Sequence, residues 1–366
     1  MGGDISPPPV KRRKLSAPLI QKQPIDPSPV PPPEDPNLMR VFSWNINGIA
    51  PFLQKPITSY FQQKSITDKD VIPAASLRGF LQRHNWPAIL FLQEVKIASS
   101  DKKIQQAVQH VINAQNCSVG SRGPSYTAHF TLPTDPHNAR GLGGSGKLYG
   151  VCSIVRSDIS SLYKANVRTI DWDKEGRFSV VELTLPSTKT AIFNVYAVNG
   201  TDNPYRDPST GANVWSLKKR GWHVLLAGDY NVAPDARDGY PKLRTFPKQH
   251  VTNRADFLKK FFGRGGDAEV EDVFEGVDIW REMHGDERRY TYFPRGRDWG
   301  SSCDRVDYVI TGKRTWDRGM VKRCGILDSE VERGPSDHVP IWVDIDFEDT
   351  SEPLTLPRKP SVPRIE

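Results

Sequence analysis

The sequence predicts an α/β sandwich, two sheets packed face to face with helices over their outer faces. Short apolar or alternating runs of strand length recur from about residue 39 to about residue 345, and they outnumber the amphipathic helical stretches between them. Of the 366 residues, 37% are hydrophobic, enough for one large core or two small ones. No internal repeat is visible. No apolar run approaches the ~18 residues needed to span a bilayer, so no membrane partner is expected. Many strands with a minority of helices are buried most simply as two packed sheets.

Three segments divide the chain. Residues 1–37 are proline-rich, with Pro7, Pro8, Pro9 and Pro31, Pro32, Pro33, and hold few large apolar side chains. Such a segment buries too little surface to offset its ordering entropy and is expected to be a disordered tail. Inside it Lys11, Arg12, Arg13 and Lys14 form a compact cationic run that reads as a nuclear import signal; the alternative is a patch that helps to hold nucleic acid. Residues 38–348 carry the folded pattern, and 349–366 return to proline and serine as a second flexible tail. The net charge of +7 tilts toward a polyanionic partner. Four scattered cysteines with no CxxC pair or zinc spacing fit reduced intracellular thiols. No signal-peptide pattern opens the chain, and the expected compartment is the nucleus.

Within the central segment, Met39–Asn45 alternates as a strand, and Asn45, Ile46, Asn47 and Gly48 turn off its end. Residues 74–84 read as a short amphipathic helix. Residues 88–92 are an apolar run of buried-strand length closed by Gln93 and Glu94, a costly place for a carboxylate unless it meets a cation or metal. Residues 101–114 read as a helix with Ile104, Val108 and Val111 on its apolar stripe. Strands are expected over 126–132, 149–155, 178–185, 191–198 and 224–227, a helix over 253–262, and further strands over 290–293, 305–310 and 339–345. The glycine-rich stretch 134–147, with Arg140 and Lys147, is a loop that either faces nucleic acid or is simply mobile.

Polar groups gather where these strands end. The run from Val224 to Ala227 is expected to stop at Gly228 and to present Asp229 and Asn231, two positions apart and so on one side of an extended backbone. A carboxylate and a carboxamide there suit a general base with an oxyanion or metal partner, although Gly-Asp-x-Asn also makes ordinary turns. Asn45 and Asn47, Glu94, Tyr196 and Asn199, and Asp337 and His338 stand at other strand ends, with Asp307 inside an apolar strand. Each alone has a structural reading; their joint placement does not.

Seven motifs then carry a resemblance. Ser43-Trp44-Asn45-Ile46-Asn47-Gly48, Leu92-Gln93-Glu94-Val95-Lys96, Glu175-Gly176-Arg177, Val195-Tyr196-Ala197-Val198-Asn199, Gly228-Asp229-Tyr230-Asn231, Arg305-Val306-Asp307-Tyr308 and Ser336-Asp337-His338-Val339-Pro340 resemble, in order, the exonuclease III/apurinic endonuclease family. The resemblance implies the DNase I-like fold, a four-layer α/β sandwich of two mostly antiparallel sheets flanked by helices. It implies a monomeric Mg2+-dependent DNA phosphodiesterase, with Mn2+ as a substitute and one or two ions bound, acting at abasic sites or 3′ ends in base-excision or related repair. Duplex DNA would be held mainly through its phosphate backbone. By the same resemblance Asp229 is the base that deprotonates water, Tyr196, Asn199 and Asn231 hold a phosphate oxygen, and His338 contacts the phosphate with Asp307 fixing its tautomer. Glu94 with Asn45 or Asn47 supplies metal oxygens, Asp337 is a second metal-side carboxylate, and Asp229, Asn231 and His338 complete the metal-side set. The alternatives are another phosphodiesterase of this fold, removing 3′-blocking groups or attacking RNA, and a catalytically inactive nucleic-acid-binding module.

The sequence also departs from the family. Asn47 stands where one branch has aspartate. The connection between Asn199 and Val224 offers one short helical candidate, 214–220, where the family has a longer helix. Family members that cut at abasic sites have an aromatic or large apolar residue at the position of Asp304. The expectation here is that Asp304 turns outward to pair with Arg305 or Arg297, while Phe293, Trp299 and Val306 wall the sugar pocket. Residues 50–73 look like an insertion. Within it Gln54, Ile57, Tyr60 and Phe61 resemble a sliding-clamp docking motif; the alternative is that Ile57 and Phe61, one helical turn apart, pack on the domain.

Overall fold

Alternation along β1 (Met39–Asn45) sets up the layers, because its odd and even side chains leave on opposite faces. The structure is a computed structural model that describes residues 29–53, 75–114, 123–134, 149–171, 173–185, 188–197, 222–264 and 273–347. In chain order β1 is followed by α1 (Ala50–Leu53), α2 (Leu77–Arg83), β2 (Ile89–Gln93), α3 (Lys102–Val111), β3 (Tyr126–Thr131), β4 (Val151–Arg156), α4 (Ser157–Leu162), β5 (Asn166–Thr169), β6 (Phe178–Thr184), β7 (Lys189–Tyr196) and β8 (His223–Asp229). Then come β9 (Gly239–Tyr240), α5 (Gln249–Phe262), β10 (Gly276–Asp278), α6 (Ile279–His284), β11 (Cys303–Asp304), β12 (Asp307–Gly312), α7 (Lys313–Asp317), β13 (Val321–Ile326), α8 (Glu330–Arg333) and β14 (Ile341–Ile345).

Two six-stranded sheets result, ordered β13-β14-β1-β2-β4-β3 and β10-β12-β8-β7-β6-β5, with β9 and β11 forming a separate two-stranded ribbon. Each large sheet is antiparallel except for one parallel pair, β1 with β2 and β7 with β8. The inner faces meet in a core built from Met39, Val41, Ile89 and Phe91 of one sheet and Ile192, Leu225, Ala227 and Val309 of the other. Phe42, Trp44, Leu90 and Leu92 leave the opposite face and pack against Leu77, Phe80 and Leu81 of α2 and Val108 of α3. Phe193, Leu226 and Ile310 do the same against Phe257 and Phe261 of α5. The expected four-layer sandwich is therefore formed.

Three local expectations are corrected. Residues 290–293 form no strand; Tyr292 makes isolated bridges to Asp304 and His338 instead. The helix expected from residue 253 begins at Gln249, its first turn being too polar to show the apolar period. The strand expected to stop at Gly228 runs on through Asp229, which pairs with Asp307 of β12 and Tyr196 of β7. Glycine is required at 228 because a Cβ there would lie 1.8 Å from the Val195 carbonyl oxygen. The edge strands β5 and β13 escape the sequence pattern because edge positions carry polar side chains, Asn166 and Arg168 in one and Lys322 and Arg323 in the other.

Candidate active site

Strand register brings the polar strand ends together. The parallel pairing of β1 and β2 sets Asn45 opposite Gln93, so Glu94 follows beside it. The pairing of β7, β8 and β12 lines up Tyr196, Asp229 and Asp307. His338 precedes β14, the antiparallel neighbour of β1. Below this rim the inner faces carry a buried polar seam: Gln93 Nε2 donates to Ser43 Oγ at 3.0 Å and to Asn194 Oδ1 at 2.7 Å, and the Ser153 and Ser179 hydroxyls lie 2.7 Å apart. Polar contacts of this kind tie the two sheets in one register at the site, with Gln93 Oε1 left without a hydrogen-bond partner.

The floor of the site is a chain of short contacts. Asp307 Oδ2 lies 2.8 Å from His338 Nδ1, and His338 Nε2 lies 3.9 Å from Asp229 Oδ2, too far for a hydrogen bond. Asn45 Nδ2 donates to Asp229 Oδ2 at 2.9 Å and to Glu94 Oε1 at 3.0 Å, linking the two carboxylates. The Asn231 backbone amide donates to Asp229 Oδ1 at 2.8 Å. Asn47 Nδ2 donates to Asp337 Oδ1 at 3.0 Å. The non-glycine residues Asn47, Glu94, Lys96 and Asn231 all take positive φ, between 52° and 55°. Such strain persists only where the surroundings fix it, and here it turns each backbone at the rim so that side chains converge.

Electrostatics divides the two ends of this chain. Burial pushes the Asp229 carboxyl up and the neighbouring Asp307 charge adds to it; His338, the Asn231 amide and Asn45 oppose this, leaving Asp229 at about 7. Burial disfavours the His338 cation, yet the Asp307 and Asp229 charges and the Asp307 hydrogen bond outweigh it and raise His338 to about 10. Burial likewise acts against the Glu94 carboxylate, but the Lys96 charge and hydrogen bonds from Asn45, Tyr196 and Lys96 hold it below the usual range. At neutral pH the site therefore combines a protonated imidazole, a carboxylate poised to take a proton and a firmly ionised glutamate.

A cleft of about 150 Å³ opens over this floor. Besides Glu94, Tyr196, Asn231, Asp337 and His338, its walls include Arg244, His250, Arg254, Tyr292, Asp304 and Val306. Arg244 Nη2 pairs with Asp304 Oδ2 at 2.7 Å, and its guanidinium lies 5.2 Å from the Tyr292 ring centroid. Arg254 donates to the Ala233 carbonyl at 2.7 Å and to the Arg244 carbonyl at 2.8 Å, fixing the segment that carries Arg244.

The sequence expectations meet this geometry unevenly. Asn45, Asn47, Glu94, Tyr196, Asp229, Asn231, Asp307, Asp337 and His338 come together as expected. Tyr196 and Asn231, expected to hold a phosphate oxygen, have their donors committed elsewhere. Tyr196 Oη donates to Glu94 Oε1 at 2.8 Å, and Asn231 Nδ2 donates to the Ala197 carbonyl at 3.0 Å and Asp229 Oδ2 at 3.2 Å. Both position carboxylates. Of the expected sugar wall only Val306 lines the cleft. Phe293 and Trp299 stack on each other at 3.9 Å in a separate apolar cluster. Asp304 faces the cleft and pairs with Arg244, not outward to Arg305 or Arg297. Arg305 is already held, buried between Asp238 and Asp278 at 2.7 and 2.6 Å. Asn199, the segment 54–61 with Gln54, Ile57, Tyr60 and Phe61, the cluster Lys11, Arg12, Arg13 and Lys14, and the helical candidate 214–220 lie outside the described residues.

Several supporting contacts are not assigned by the sequence, although Ser336, Gly176 and Arg177 stand within its motifs. Thr291 Oγ1 accepts the amides of Val306 and Asp307, both at 3.0 Å, and so aims the Asp307 side chain. Ser336 Oγ donates to the Asn45 carbonyl at 2.5 Å and accepts the His338 amide at 3.0 Å. Arg177 of the Glu-Gly-Arg motif pairs with Glu175 and lies 5.0 Å from the Tyr196 ring centroid, supporting the tyrosine from behind. Gly176, at φ +70°, is needed because a Cβ would meet the Leu132 backbone at 2.7 Å. No linear spacing announces these contacts.

The donor chemistry fits a hard divalent cation beside Glu94. The Lys96 ammonium lies 3.0 Å from Glu94 Oε2 and also meets Asn47 Oδ1, so two oxygen donors already close round a positive charge. Asp229, Asp307 and His338 also place ligating atoms within 4.8 Å of one another. There His338 Nδ1 meets Asp307 Oδ2, His338 Nε2 stays 3.9 Å from Asp229 Oδ2, and Asp307 Oδ1 remains without a hydrogen-bond partner.

Comparisons with known proteins agree with the fold. The model of the endonuclease/exonuclease/phosphatase family matches residues 42–338, well over half of the chain. Among solved structures, the AP endonuclease LMAP from Leishmania major aligns at TM-score 0.54 and 16% identity, over 85% of this chain and 89% of that one. The catalytic domain of Xenopus laevis APE2 aligns at TM-score 0.53 and 16% identity, over 84% and 92%. At these identities the likeness shows the shared DNase I-like fold. No curated protein sequence matches the chain.

Proposed function

We propose, for a chain that belongs to the endonuclease/exonuclease/phosphatase family, that this site is a Mg2+-dependent DNA phosphodiesterase acting in DNA repair, at abasic sites or at 3′ ends. The observation that carries the reading is the buried Asp229–His338–Asp307 constellation, of which His338 lines a cleft edged by arginines and the two carboxylates lie just beneath it. Asp229 accepts the proton of the attacking water as the water closes on phosphorus. His338, kept protonated by Asp307, donates a hydrogen bond to a phosphoryl oxygen as negative charge grows there. Asn231 and Asn45 hold Asp229 in place, and Tyr196 holds Glu94. Glu94 with Asn47 would hold Mg2+, which when bound stabilises charge on the reacting phosphate; Mn2+, with similar oxygen preference, would substitute.

The cleft wall favours 3′-end processing over abasic scission. A flipped-out deoxyribose needs an apolar wall that excludes an intact nucleotide, whereas Asp304 and Arg244 make this wall polar. The test uses purified full-length protein with three end-labelled duplexes, one abasic, one nicked with a 3′-phosphate and one intact, in Mg2+, in Mn2+ and in EDTA. Metal-dependent product is expected from the nicked duplex above the others. Absence of strand scission and of phosphate release on all three duplexes would sink the nuclease reading in favour of a binding module.

Two further readings rest on sequence alone. Lys11, Arg12, Arg13 and Lys14 are proposed to direct nuclear import; a fluorescent fusion lacking residues 1–36 that still concentrates in the nucleus would refute it. Residues 54–61 are proposed to dock on a sliding clamp; unchanged clamp affinity in a stably folded Tyr60→Ala/Phe61→Ala variant would end that idea.

A further inference from the structure

Phe246 is 89% exposed, the most exposed large hydrophobic residue among the described residues and the only aromatic one in that group. Single exposed apolar side chains are ordinary; the setting of this one is not. It stands two positions after Arg244 and four before His250, both of which line the catalytic cleft. The same segment carries Lys242, Arg244 and Lys248, all exposed. Its backbone is tethered along its length. The preceding strand β9 pairs with β11, the Arg244 carbonyl accepts from Arg254 Nη2 at 2.8 Å, and the Pro247 carbonyl accepts the His250 amide at 3.0 Å. A large exposed ring is thus held on the segment that borders the cleft, at low cost in loop entropy and interleaved in sequence with cations.

We propose that Phe246 is a stacking platform for an unpaired nucleobase adjoining the strand end in the cleft; this rests on the nucleic-acid reading of the site. Interleaved cations and an exposed ring match what single-stranded nucleic acid offers, charged phosphates alternating with π-faces that any base can present. A protein partner would require a contiguous apolar patch, and here the flanking Thr245 and, two positions either side, Arg244 and Lys248 are exposed and polar or charged, with the partly exposed Val251 the next large apolar residue exposed along the chain. The ligand class is therefore duplex DNA with a short single-stranded 3′ overhang or gap, bound without sequence preference.

The experiment measures fluorescence anisotropy of the full chain, in EDTA so that no turnover intervenes, with a labelled duplex bearing a 3′ overhang and with the same duplex blunt. Phe246→Ala is expected to weaken overhang binding roughly 5- to 100-fold, the range for loss of one stacked base, while blunt-duplex affinity changes less than about twofold and the salt slope stays the same. Phe246→Trp should restore overhang binding, and its emission should be quenched by the overhang only. Equal affinity of wild type and Phe246→Ala for the overhang would overturn the proposal. So would equal loss on both DNAs with a shallower salt slope, which would make the segment a phosphate contact alone. If wild type binds both DNAs but hydrolyses none in Mg2+, the enzymatic reading fails while the stacking result still stands or falls by itself. A melting curve of each variant reads folding, which an exposed side chain should leave unchanged.

Discussion

The floor of the cleft and its outer wall are built by different means. Asp229, Asp307, Asn45 and His338 sit on or beside central strands of two sheets, buried, with positions fixed by ladder register and by contacts such as Thr291 to Asp307. Arg244, His250 and Arg254 come from a surface segment and the first turns of α5, and Asp304 and Tyr292 from the short ribbon and its bridge. One region is over-determined by the sandwich, and the other can change without disturbing a core. In such an arrangement hydrolytic chemistry belongs to the floor and choice of substrate to the wall.

The largest effect should come from the floor. Asp229→Asn is expected to lower turnover about 10²–10⁴-fold, the range for a positioned acid–base group, with DNA binding kept. The same change should flatten the pH dependence of stability of the metal-free protein. A carboxyl whose folded pKa is raised holds its proton more tightly folded than unfolded. The stability linked to it is full below the ordinary ~4 and lost as pH rises through about 7. Removing the charge should make Tm in EDTA fall less between pH 3.5 and pH 8 than it does in wild type. Near-wild-type turnover would remove Asp229 from the role given to it, and an unchanged fall of Tm with pH would show that its carboxyl is not raised.

Glu94→Ala probes the floor beside Lys96. The Mg2+ concentration for half-maximal rate should rise at least about tenfold, more than the few-fold rise expected from Tyr196→Phe, which deletes only the bond that orients Glu94. Titrations of rate against Mg2+ for both variants give the order. Equal midpoints for Glu94→Ala and wild type would place the cation elsewhere.

Asp307→Asn tests the coupling within the floor. Wild-type kcat, followed in metal as dilute as activity allows, should rise near pH 7 as Asp229 ionises and fall near pH 10 as His338 loses its proton. Asp307 raises both groups, so its neutralisation should move both limbs to lower pH by ~1 unit or more. Movement of one limb alone would separate the two groups. The stability linked to His338 in wild type is full below ~6.5 and lost as pH rises through about 10; its upper limit should move down in the same variant.

How far the sequence reveals each region follows from the same division. Period-two alternation in β1 and the unbroken apolar run of β2 show which faces are buried, because every second residue must find a core. The motifs then mark Glu94, Asp229, Asp307 and His338, since the first three interrupt or close an apolar strand and His338 stands just before one. The wall gives no comparable signal. Whether Tyr292 or Phe293 faces the cleft depends on the isolated bridges of Tyr292 to Asp304 and His338, which lie outside the two large sheets. The Phe293–Trp299 stack is equally non-local. Asp304 looked improbable in a cleft because its partner, Arg244, lies on a segment with no secondary-structure period at all.

The smallest expected effect concerns that ion pair. Asp304 is nearly buried, with 6% of its side chain accessible, while Arg244 is 44% accessible, so the pair is asymmetric. Burial raises the Asp304 carboxyl and outweighs the opposing Arg244 charge. Removing Arg244 would leave a desolvated carboxylate without its cation, whereas removing Asp304 frees an exposed guanidinium that water can solvate. Asp304→Leu should therefore fold well and supply the apolar wall that an abasic deoxyribose requires. The ratio of abasic scission to 3′-phosphate removal should rise about tenfold, the scale of one apolar contact in a specificity pocket. Arg244→Ala should instead leave that ratio within about twofold, weaken DNA binding modestly and reduce the slope of log affinity against log salt by about one. Initial rates on the two labelled duplexes, beside a salt titration, read all three quantities. If Asp304→Leu leaves the ratio unchanged while remaining folded, the wall does not choose the substrate and the choice must lie with the floor.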